Sequence, residues 1–406
     1  MNDFDPDLNY IDQNFTELNS QKSEYLSFSQ FKSVCNKNDY FTFLAYNIRS
    51  FQANSDSFFC NLHGSYPEFL IFSETWFNLD NTSEILDYNS YHTVRQEKRS
   101  GGVSIYIKNY FPSFKVDHLC FANVDIEVCS VQFMMNGVEW FILGIYRPHE
   151  GTIPEFELNL LNILNDCNLH GKNVILMGDF NINLLSDSYL TENFLNSIQS
   201  LGFIPVISIP TRFDSQFNSA SLIDHIWINK PTSYFSGVIS CDLTDHFPTF
   251  IQLPDSIKIK HRIEPIKIEF RPINEAGMNE FQEKLSEFSG DQIYNADVNI
   301  YLEKFISHIN TIYCQCFPKK VKFISPKNLL NPWITPQLSN LLDLKSKYFQ
   351  LYRMKLVTKR ENNLFKNKVK TIVDKSKRNY FNNLLRESRG KIAKTWNIIT
   401  KCDLSH

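Results

Sequence analysis

Short apolar runs recur between Tyr40 and Leu253, and each ends at a polar residue. Runs of this length and composition are typical of buried β-strands. The four clearest runs are 43–46, 69–72, 141–145 and 174–177. Further β-rich stretches follow one another between Tyr91 and Phe133 without space for a helix. The pattern therefore predicts mixed sheets, with some strands consecutive and others joined by helices.

Helical periodicity separates several of these strands. The stretch 153–168 has Pro154 in its first turn and carries an apolar stripe, which predicts an amphipathic helix. A second candidate, 191–201, ends at Gly202, a common residue just beyond the end of a helix. We therefore expect an α/β fold in which mixed sheets pack together and helices lie outside them.

The character of the chain changes after Pro254, where the sequence becomes helical and basic. Thr335 can cap a helix with Pro336 in its first turn. Two apolar stripes at helical spacing follow, in 338–352 and in 365–384. Such stripes usually pack in a core or against another helix, and we keep that interpretation.

Charge divides the chain more sharply than its net charge of −3 suggests. Residues 319–403 hold 21 of the 41 basic side chains and five of the 44 acidic ones, so the rest of the chain is strongly acidic. A polyanion is the expected partner of the basic part. We predict three parts: a disordered acidic arm (1–38), an α/β domain (39–253) and a basic helical region (254–406).

Cysteine usage and hydropathy restrict the compartment. The nine cysteines are scattered and contain no CxxC pair, which argues against a disulfide framework and a zinc ribbon. We read the CxC at Cys314 and Cys316 as two thiols rather than a metal site. No secretory signal or bilayer-spanning run is present, so we expect no membrane partner and an intracellular, nuclear location with a cytoplasmic pool.

The polar residues that end the apolar runs form a candidate site, because polar groups at the carboxyl ends of strands converge on one crevice in α/β folds. They are Asn47, Glu74, Tyr146, Asp179, Asn181, Asp224 and His246. These residue types suit metal-assisted phosphodiester hydrolysis, since Mg²⁺ prefers oxygen ligands and a phosphate needs hydrogen-bond donors. Asn47 and Tyr146 would donate to the phosphate or to a metal-bound acid.

Individual roles follow from chemistry. Glu74 is the first choice as metal ligand, although a lone acid after a strand can be a loop carboxylate or a helix cap. Gly178 allows a tight turn, after which Asp179 can deprotonate a water and Asn181 can hold that aspartate or a phosphate oxygen. The alternative is a β-turn whose polar groups bond only local backbone.

Asp224 lies in an apolar strand, where it needs a partner, and His246 can provide one. Such a pair favours the protonated imidazole, which suits binding of phosphoryl oxygens. Strand alternation turns His225 to the opposite face, so we expect it to be structural. The alternative for Asp245-His246 is a cap ahead of the following strand. The basic loop 95–99 before Gly101 can contact a nucleic-acid backbone or can be a solvated turn.

Taken in order, these residues resemble the endonuclease/exonuclease/phosphatase superfamily, and within it the apurinic-like endonuclease domains of LINE-type, non-LTR, jockey-like retrotransposons. The segments that carry the resemblance are 46–50, 73–76, 99–103, 144–148, 178–181, 210–212, 223–226 and 244–246. The resemblance implies a four-layer α/β sandwich of two mixed sheets with outer helices. Repair enzymes of the superfamily often have an acid at the position of Arg49, which puts a second metal site in doubt.

The same resemblance implies residue roles and a function. Glu74 would bind the metal, with Asp245 assisting the metal or His246, and the other residues would act as described above. We expect a Mg²⁺-dependent endonuclease, with Mn²⁺ as a substitute, that nicks one strand of DNA. The basic region would bind the RNA of the element. No Tyr/Phe-x-Asp-Asp polymerase motif occurs, so we expect a truncated element or a host gene derived from one.

Two alternatives remain. The first is another phosphoesterase of the same superfamily, an exonuclease or a phosphatase, which shares the chemistry and differs in its substrate loops. The second is a catalytically idle protein that binds nucleic acid through its basic helices. Acids at all of the expected positions argue against the second alternative.

Overall fold

The computed structural model describes residues 23–36, 39–95, 100–166, 172–214, 219–230, 233–255, 266–287, 298–324 and 333–388. Its strands are β1 Glu24–Leu26, β2 Tyr40–Asn47, β3 Phe69–Ser73, β4 Tyr88–Thr93, β5 Val103–Lys108, β6 Ser113–Lys115, β7 Phe121–Ala122, β8 Glu127–Met135, β9 Val138–Tyr146, β10 Asn173–Asp179, β11 Ile204–Pro205, β12 Arg212–Asp214, β13 Ser219–Ser221, β14 Asp224–Ile228, β15 Phe235–Ile239, β16 Thr249–Pro254, β17 Ile266–Phe270 and β18 Lys320–Ile324. Its α-helices are α1 Phe28–Cys35, α2 Phe51–Leu62, α3 Ile153–Asp166, α4 Tyr189–Ser200, α5 Glu275–Ser286, α6 Val298–Cys316, α7 Pro336–Arg353 and α8 Lys359–Glu387.

Two mixed sheets of seven strands pack face to face. The first has the order β1-β15-β16-β2-β3-β5-β4, and the second has the order β11-β14-β10-β9-β8-β6, with β7 paired to β8. Aromatic rings fill the space between them: Phe43 stacks on Phe69 at 4.0 Å within the first sheet, and Phe133 of the second sheet lies 4.7 Å from Phe69, centroid to centroid. One continuous apolar core therefore joins the sheets.

Helices cover both outer faces. Strand alternation directs Tyr46 of β2 away from the inner core and onto Phe58 of α2, at 5.3 Å between centroids. On the other side, Phe156 of α3 and Phe194 of α4 pack in a second apolar cluster with Trp227 of β14. The predicted four-layer α/β sandwich is confirmed, and the predicted helices 153–168 and 191–201 correspond to α3 and α4.

The prediction of a disordered arm over residues 1–38 is wrong for residues 23–36. Strand β1 pairs in parallel with β15, and Ser27 begins α1 with a capping box that includes Gln30. Phe28 and Phe31 are buried in the main core. A mostly polar sequence hid these two aromatic anchors, which bury enough apolar surface to order a short segment. Residues 1–22 and 37–38 lie outside the described residues.

The basic region after residue 253 is not one unit. Compactness divides the chain into one unit of residues 1–260 and 330–406 and a second unit of residues 261–329. In the second unit β17 and β18 pair antiparallel as a two-stranded sheet, and α5 packs on α6 around Phe317. In the first unit α7 begins with the predicted Thr335 cap, and α7 and α8 belong with the sandwich. Sequence composition could not show which helices belong to which unit, because α5, α6, α7 and α8 all carry polar residues on their exposed faces.

Two expectations about the chain as a whole can be compared with the described residues. All seven cysteines in the described ranges are free thiols, in line with the absence of a disulfide framework. Among the helices that the structure describes, none combines the length and the apolarity that a membrane span requires.

Phe31 tests whether the segment 23–36 belongs to the core. Its side chain is 0% exposed, and its ring lies 5.0 Å from that of Phe250. We expect Phe31→Ala to lower the free energy of unfolding by about 3–5 kcal/mol, as for other emptied aromatic sites. Urea unfolding followed by circular dichroism would measure it. Phe114, 55% exposed on β6, provides the control Phe114→Ala, and equal small losses in both variants would contradict the burial of Phe31.

Candidate active site

Strand register brings the predicted polar residues to one edge of the sandwich. In the second sheet Asp179, the last residue of β10, lies opposite Tyr146 of β9 and Asp224 of β14. In the first sheet Asn47 at the end of β2 pairs with the last residue of β3, which Glu74 follows. The carboxyl ends of β2, β3, β9 and β10 therefore meet at the same edge, as the sequence predicted.

The side chain of Asn47 joins the two sheets at this edge. Its amide nitrogen donates to Glu74 Oε1 and to Asp179 Oδ2, both at 2.8 Å. Its amide oxygen accepts from the backbone N–H of Arg49 at 3.2 Å. Asn47 and Asp179 are each 1% exposed, and Glu74 is 9% exposed. One donor group thus holds two buried carboxylates that belong to different sheets.

Gly178 allows β10 to present Asp179 at this position. Its φ is 144°, and a Cβ there would lie 1.9 Å from the carbonyl oxygen of Ile145, so a side chain cannot be accommodated. The following turn is closed by Asn181, whose backbone N–H donates to Asp179 Oδ1 at 3.0 Å. The Asn181 amide nitrogen donates to the backbone oxygen of Arg147 at 2.7 Å and lies 3.4 Å from Asp179 Oδ2. The Asp179 carboxylate is therefore oriented through both oxygens.

Four non-glycine residues at this edge have a left-handed backbone. Arg49, Ser50, Glu74 and Asn181 have φ values between 46° and 79°. Each such residue costs about 1–3 kcal/mol, so the surroundings must enforce it. The backbone N–H of Ser50 donates to the backbone oxygen of Glu74 at 2.8 Å. This bond connects two of the segments with left-handed residues. Strain concentrated around a polar cluster supports its interpretation as a functional site.

Asp224, His246 and Thr211 form a second polar cluster next to Asp179. His246 Nδ1 lies 3.0 Å from each carboxylate oxygen of Asp224. Thr211 Oγ1 donates to Asp224 Oδ2 at 2.7 Å. Polar atoms of Asp179, Asp224 and His246 lie within 4.8 Å of one another. Since Asp224 is 2% and His246 3% exposed, their charges are compensated within the protein.

Burial and charge shift the pKa values of these groups. Burial raises the pKa of Asp179 to about 7; the positive charge of His246 opposes this rise, and the negative charge of Asp224 adds to it. Burial alone would lower the pKa of His246, but the Asp224 and Asp179 carboxylates outweigh burial and raise it to about 9. His246 is therefore an imidazolium at neutral pH, and Asp179 takes up and releases a proton near neutrality.

Tyr146 adds a neutral donor to the site. Its side chain is 6% exposed at the end of β9. Burial raises the pKa of the phenol well above its usual value, and the negative charges of Glu74 and Asp179 raise it further. Tyr146 therefore keeps its proton throughout the physiological range and can donate it in a hydrogen bond.

Asp245 was expected to assist a metal or His246, but its oxygens contact arginines. Arg49 Nη1 lies 2.7 Å from Asp245 Oδ1, and Arg212 Nε lies 2.9 Å from Oδ2. Burial alone would raise its pKa, but the positive charges of His246, Arg49 and Arg212 outweigh burial and lower it. Arg49 and Arg212 therefore each occupy one oxygen of Asp245.

Comparison with protein families fits this geometry. The model of the endonuclease/exonuclease/phosphatase family matches residues 44–246, half of the chain, which includes every residue of the candidate site. The chain belongs to this family. Its members are metal-dependent hydrolases of phosphoesters.

Three solved structures are examples of those similar to this chain. The endonuclease domain of TRAS1, a telomere-specific non-LTR retrotransposon, is 12% identical with a TM-score of 0.43, and the match covers 53% of this chain and 99% of that domain. The catalytic domain of Xenopus laevis APE2 is 14% identical with a TM-score of 0.43, over 52% and 92%. The AP endonuclease LMAP from Leishmania major is 12% identical with a TM-score of 0.45, over 60% and 98%. None of the curated proteins matches the chain.

The residues present fit the divalent cation on which the endonuclease/exonuclease/phosphatase family depends. Glu74 and Asp179 bring carboxylate oxygens together on the Asn47 amide, and oxygen is the donor that Mg²⁺ prefers. Burial raises the pKa of Asp179, and a cation beside the carboxylate would favour its ionised form. His246 is a poor ligand, because its raised pKa keeps the imidazole protonated and Nδ1 contacts Asp224.

Sequence reasoning assigned no role to two residues that support the site. Arg147, 7% exposed, donates from Nε to the Phe180 oxygen at 2.9 Å and from Nη2 to the Asn181 oxygen at 2.7 Å, which holds the turn after Asp179. Thr211 donates to Asp224, as described above. Both residues lie in segments that carried the family resemblance, and their position directly after or before an apolar run was the available signal.

Glu127 was also missed, because it begins the apolar strand β8. It is 0% exposed, and its Oε2 accepts from the backbone N–H of Gly102 at 2.5 Å. Burial raises its pKa to about 7. Arg95 lies between Glu127 and Glu150, with nitrogen–oxygen distances of 3.6 and 3.3 Å, so this arginine is part of an internal ion pair. The rest of the basic loop, residues 96–99, lies outside the described residues.

His225 has the structural role predicted for it. Its ring stacks on Phe180 at 4.6 Å between centroids, and Nε2 lies 2.8 Å from the Ile182 oxygen. Burial lowers its pKa to about 4, so it is neutral where His246 is charged. At neutral pH the same domain therefore holds one buried histidine that is positively charged, His246, and one that is neutral, His225.

The pH dependence of His246 tests the second polar cluster. In metal-free protein with EDTA, we expect its imidazole to stay protonated until about pH 9, whereas His225 is neutral above about pH 4. Because the folded pKa lies above the unfolded one, this proton stabilises the fold fully below about pH 6.5, and the contribution is lost as the pH rises through about 9. Imidazole ¹H–¹⁵N NMR would measure both residues.

Asp224→Asn provides the matched variant for that titration. Without the negative charge of Asp224, less opposes the effect of burial on His246. The pKa of His246 should therefore fall, while that of His225 changes little. A His246 that is already neutral at pH 7 in the unmodified chain would show that Asp224 does not hold its proton.

Proposed function

We propose that this chain is a Mg²⁺-dependent endonuclease that nicks one strand of DNA by in-line attack of a water molecule on a phosphodiester. One observation carries the proposal: Asp179, a carboxylate that titrates near neutrality, lies between the Asn47–Glu74 contact and the Asp224–His246 pair. A base, a cation ligand and a protonated donor thus surround one small volume. Family membership supports phosphoester hydrolysis, and the choice of DNA belongs to the proposal.

Asp179 is the water-activating acid in this proposal. Its carboxylate is oriented by the Asn47 amide on Oδ2 and by the Asn181 backbone on Oδ1. A pKa of about 7 suits a general base at neutral pH, because the ionised form is populated and still accepts a proton readily. Asn181 is its companion and keeps the carboxylate from turning.

His246 and Tyr146 supply hydrogen bonds to the phosphoryl oxygens. Asp224 holds Nδ1 of His246, which leaves Nε2 to donate with a full positive charge behind it. Tyr146 is neutral and donates its phenol proton. Both donors gain strength as negative charge builds up on the phosphoryl group, so they favour the transition state over the bound substrate.

Glu74 is the proposed ligand of the cation, with Asn47 holding one of its oxygens. When bound, Mg²⁺ supplies positive charge that neutralises the phosphate and stabilises the charge of the transition state, and Mn²⁺ accepts the same ligands. For Asp245 we propose a positioning role: it fixes Arg49 and Arg212 beside the site. Arg49 is the more accessible of the two, with 47% of its side chain exposed, and is placed to meet a backbone phosphate.

Charge on the outer helices supports a nucleic acid as the substrate and partner. Helix α8 carries nine basic and three acidic residues. Seven of its basic residues are exposed: Lys359, Arg360, Lys368, Lys370, Lys375, Arg378 and Arg386. We propose that this face adds non-specific affinity for DNA, or for the RNA of an element from which the chain derives. The slope of affinity against salt would report how many phosphates it contacts.

Replacement of Asp179 tests the base. We expect Asp179→Asn to lower the rate of Mg²⁺-dependent nicking of supercoiled plasmid by about 10²–10⁴-fold, the usual contribution of a general base. The matched control is Asp117→Asn, because the Asp117 side chain is 86% exposed, and it should nick at the normal rate. Circular dichroism would establish that both variants fold. Full activity of Asp179→Asn would rule out its role.

The products of the unmodified chain distinguish the alternatives. Nicked circles at internal positions support an endonuclease. Release of mononucleotides from linear ends would indicate an exonuclease, and release of phosphate alone would indicate a phosphatase. Binding without cleavage on all of these substrates would make the chain a nucleic-acid-binding protein.

Replacement of Glu74 tests the cation site. Glu74→Ala should raise the Mg²⁺ concentration needed for half-maximal nicking by about 10–100-fold, because the cation loses a ligand, and excess Mg²⁺ should restore part of the rate. Glu84→Ala is the control, since Glu84 is exposed in the loop that follows. A Mg²⁺ titration of nicking would measure both variants. An unchanged titration for Glu74→Ala would exclude it as a ligand.

A further inference from the structure

The segment 240–247, here called the His246 loop, is fixed on one side by strand β2. Thr244 Oγ1 accepts from the Tyr46 hydroxyl at 3.2 Å and from the His246 backbone N–H at 3.1 Å. The Thr244 hydroxyl in turn donates to the backbone oxygen of Asn47 at 3.3 Å. This side of the loop therefore takes its position directly from the strand that carries Asn47.

The opposite side of the His246 loop is held by α7 and α8. Lys345 Nζ of α7 lies 2.8 Å from Asp242 Oδ1, and the two side chains are only 10% and 9% exposed. Lys366 of α8 donates to the backbone oxygen of Asp242. Asp242 Oδ2 has no hydrogen-bond partner in the described part of the chain, so Lys345 is the side chain in direct contact with this buried carboxylate, and the charge of Lys366 adds to it.

Aromatic packing continues the contact to the residue next to His246. Phe349 of α7 meets the ring of Phe247 edge-on, at 6.2 Å between centroids. The Arg353 guanidinium lies 5.3 Å from the centroid of Phe247 and 4.4 Å from that of Phe213. Its Nη1 donates to Ser240 Oγ at 3.1 Å, at the start of the loop. Helix α7 thus contacts the His246 loop at its first residue, Ser240, at Asp242, and at its last residue, Phe247.

We propose that Lys345 is a positioning residue for the hydrolysis, and that α7 and α8 are an integral part of the catalytic unit although they lie beyond the region 44–246 that matches the family. The inference rests on the proposed function for its catalytic consequence. A buried ion pair that loses one partner leaves an uncompensated charge, and the loop that bears that charge must move to reach water. Such a movement displaces His246, and small displacements of catalytic groups are costly.

Kinetics of the full chain test the proposal. Lys345→Met should lower kcat for nicking by on the order of tenfold to hundredfold, with KM changed by less than about twofold, because the displaced His246 acts on the transition state more than on the bound substrate. Lys345→Arg keeps the charge and should restore most of kcat. The matched control is Lys347→Met, an exposed lysine two residues further along α7, which should leave kcat unchanged.

Hydrogen exchange measures the same contact without using activity. Amides of the His246 loop should exchange faster in Lys345→Met than in Lys347→Met, whereas those of β9 and β10 should be unaltered. Should Lys345→Met not fold, Lys345→Gln removes the positive charge while it keeps a polar side chain, and it carries the same comparison.

The outcomes separate this inference from the proposed function. Normal kcat and normal exchange in Lys345→Met would overturn it, as would an effect on KM alone. If the unmodified chain nicks no DNA but the loop exchanges faster in Lys345→Met, the proposed function fails while the anchoring of the loop by Lys345 is supported.

Discussion

The side chain of Asn47 donates one hydrogen bond to each of two buried carboxylates, and these carboxylates belong to segments that follow different sheets. Without a shared donor, Glu74 and Asp179 would repel each other in a region of low dielectric. The amide therefore sets their separation and couples the position of one sheet to that of the other. Other features of the site, including the left-handed backbone at Glu74, depend on this contact being kept.

Negative charge at the edge is balanced by His246, in the loop before β16. Asp224 holds His246 as an imidazolium, and His246 in turn lowers the cost of ionising Asp179. The positive charge of His246 does not offset burial, which raises the pKa of Asp179 to about 7. In the proposed reaction a cation would favour the ionised form of this carboxylate, so the same group of residues would bind the metal and activate water.

The arginine at position 49 changes how Asp245 is used. With Arg49 and Arg212 on its two oxygens, Asp245 serves as the anchor of two cations at the rim, and the loop that bears it also carries His246. Helix α7 contacts the same loop through the ion pair of Lys345 with Asp242 and the aromatic contact of Phe349 with Phe247. The arginines on Asp245, the proposed catalytic His246 and helices α7 and α8 are therefore linked through eight consecutive residues, 240–247.

Much of the fold and most of the site could be predicted from the sequence, because local patterns determine them. Strand alternation, the cap at Thr335 and the tight turn at Gly178 depend on neighbouring residues, and polar residues at strand ends identified Asn47, Glu74 and Asp179. These signals have short periods, so they survive without knowledge of the tertiary structure. The same reasoning placed His225 on the structural face, where it lies.

Other features required the tertiary structure, because they join residues far apart in the chain. Nothing local marks Phe31 as a core residue, since its burial depends on Phe250 in a strand more than two hundred residues away. The pairing of Asp245 with two arginines and of Lys345 with Asp242 likewise depends on which loops meet. The sequence determined the elements and the chemistry of their ends; the tertiary structure alone decided which charges became partners, because Coulomb energies depend on distance in space and burial.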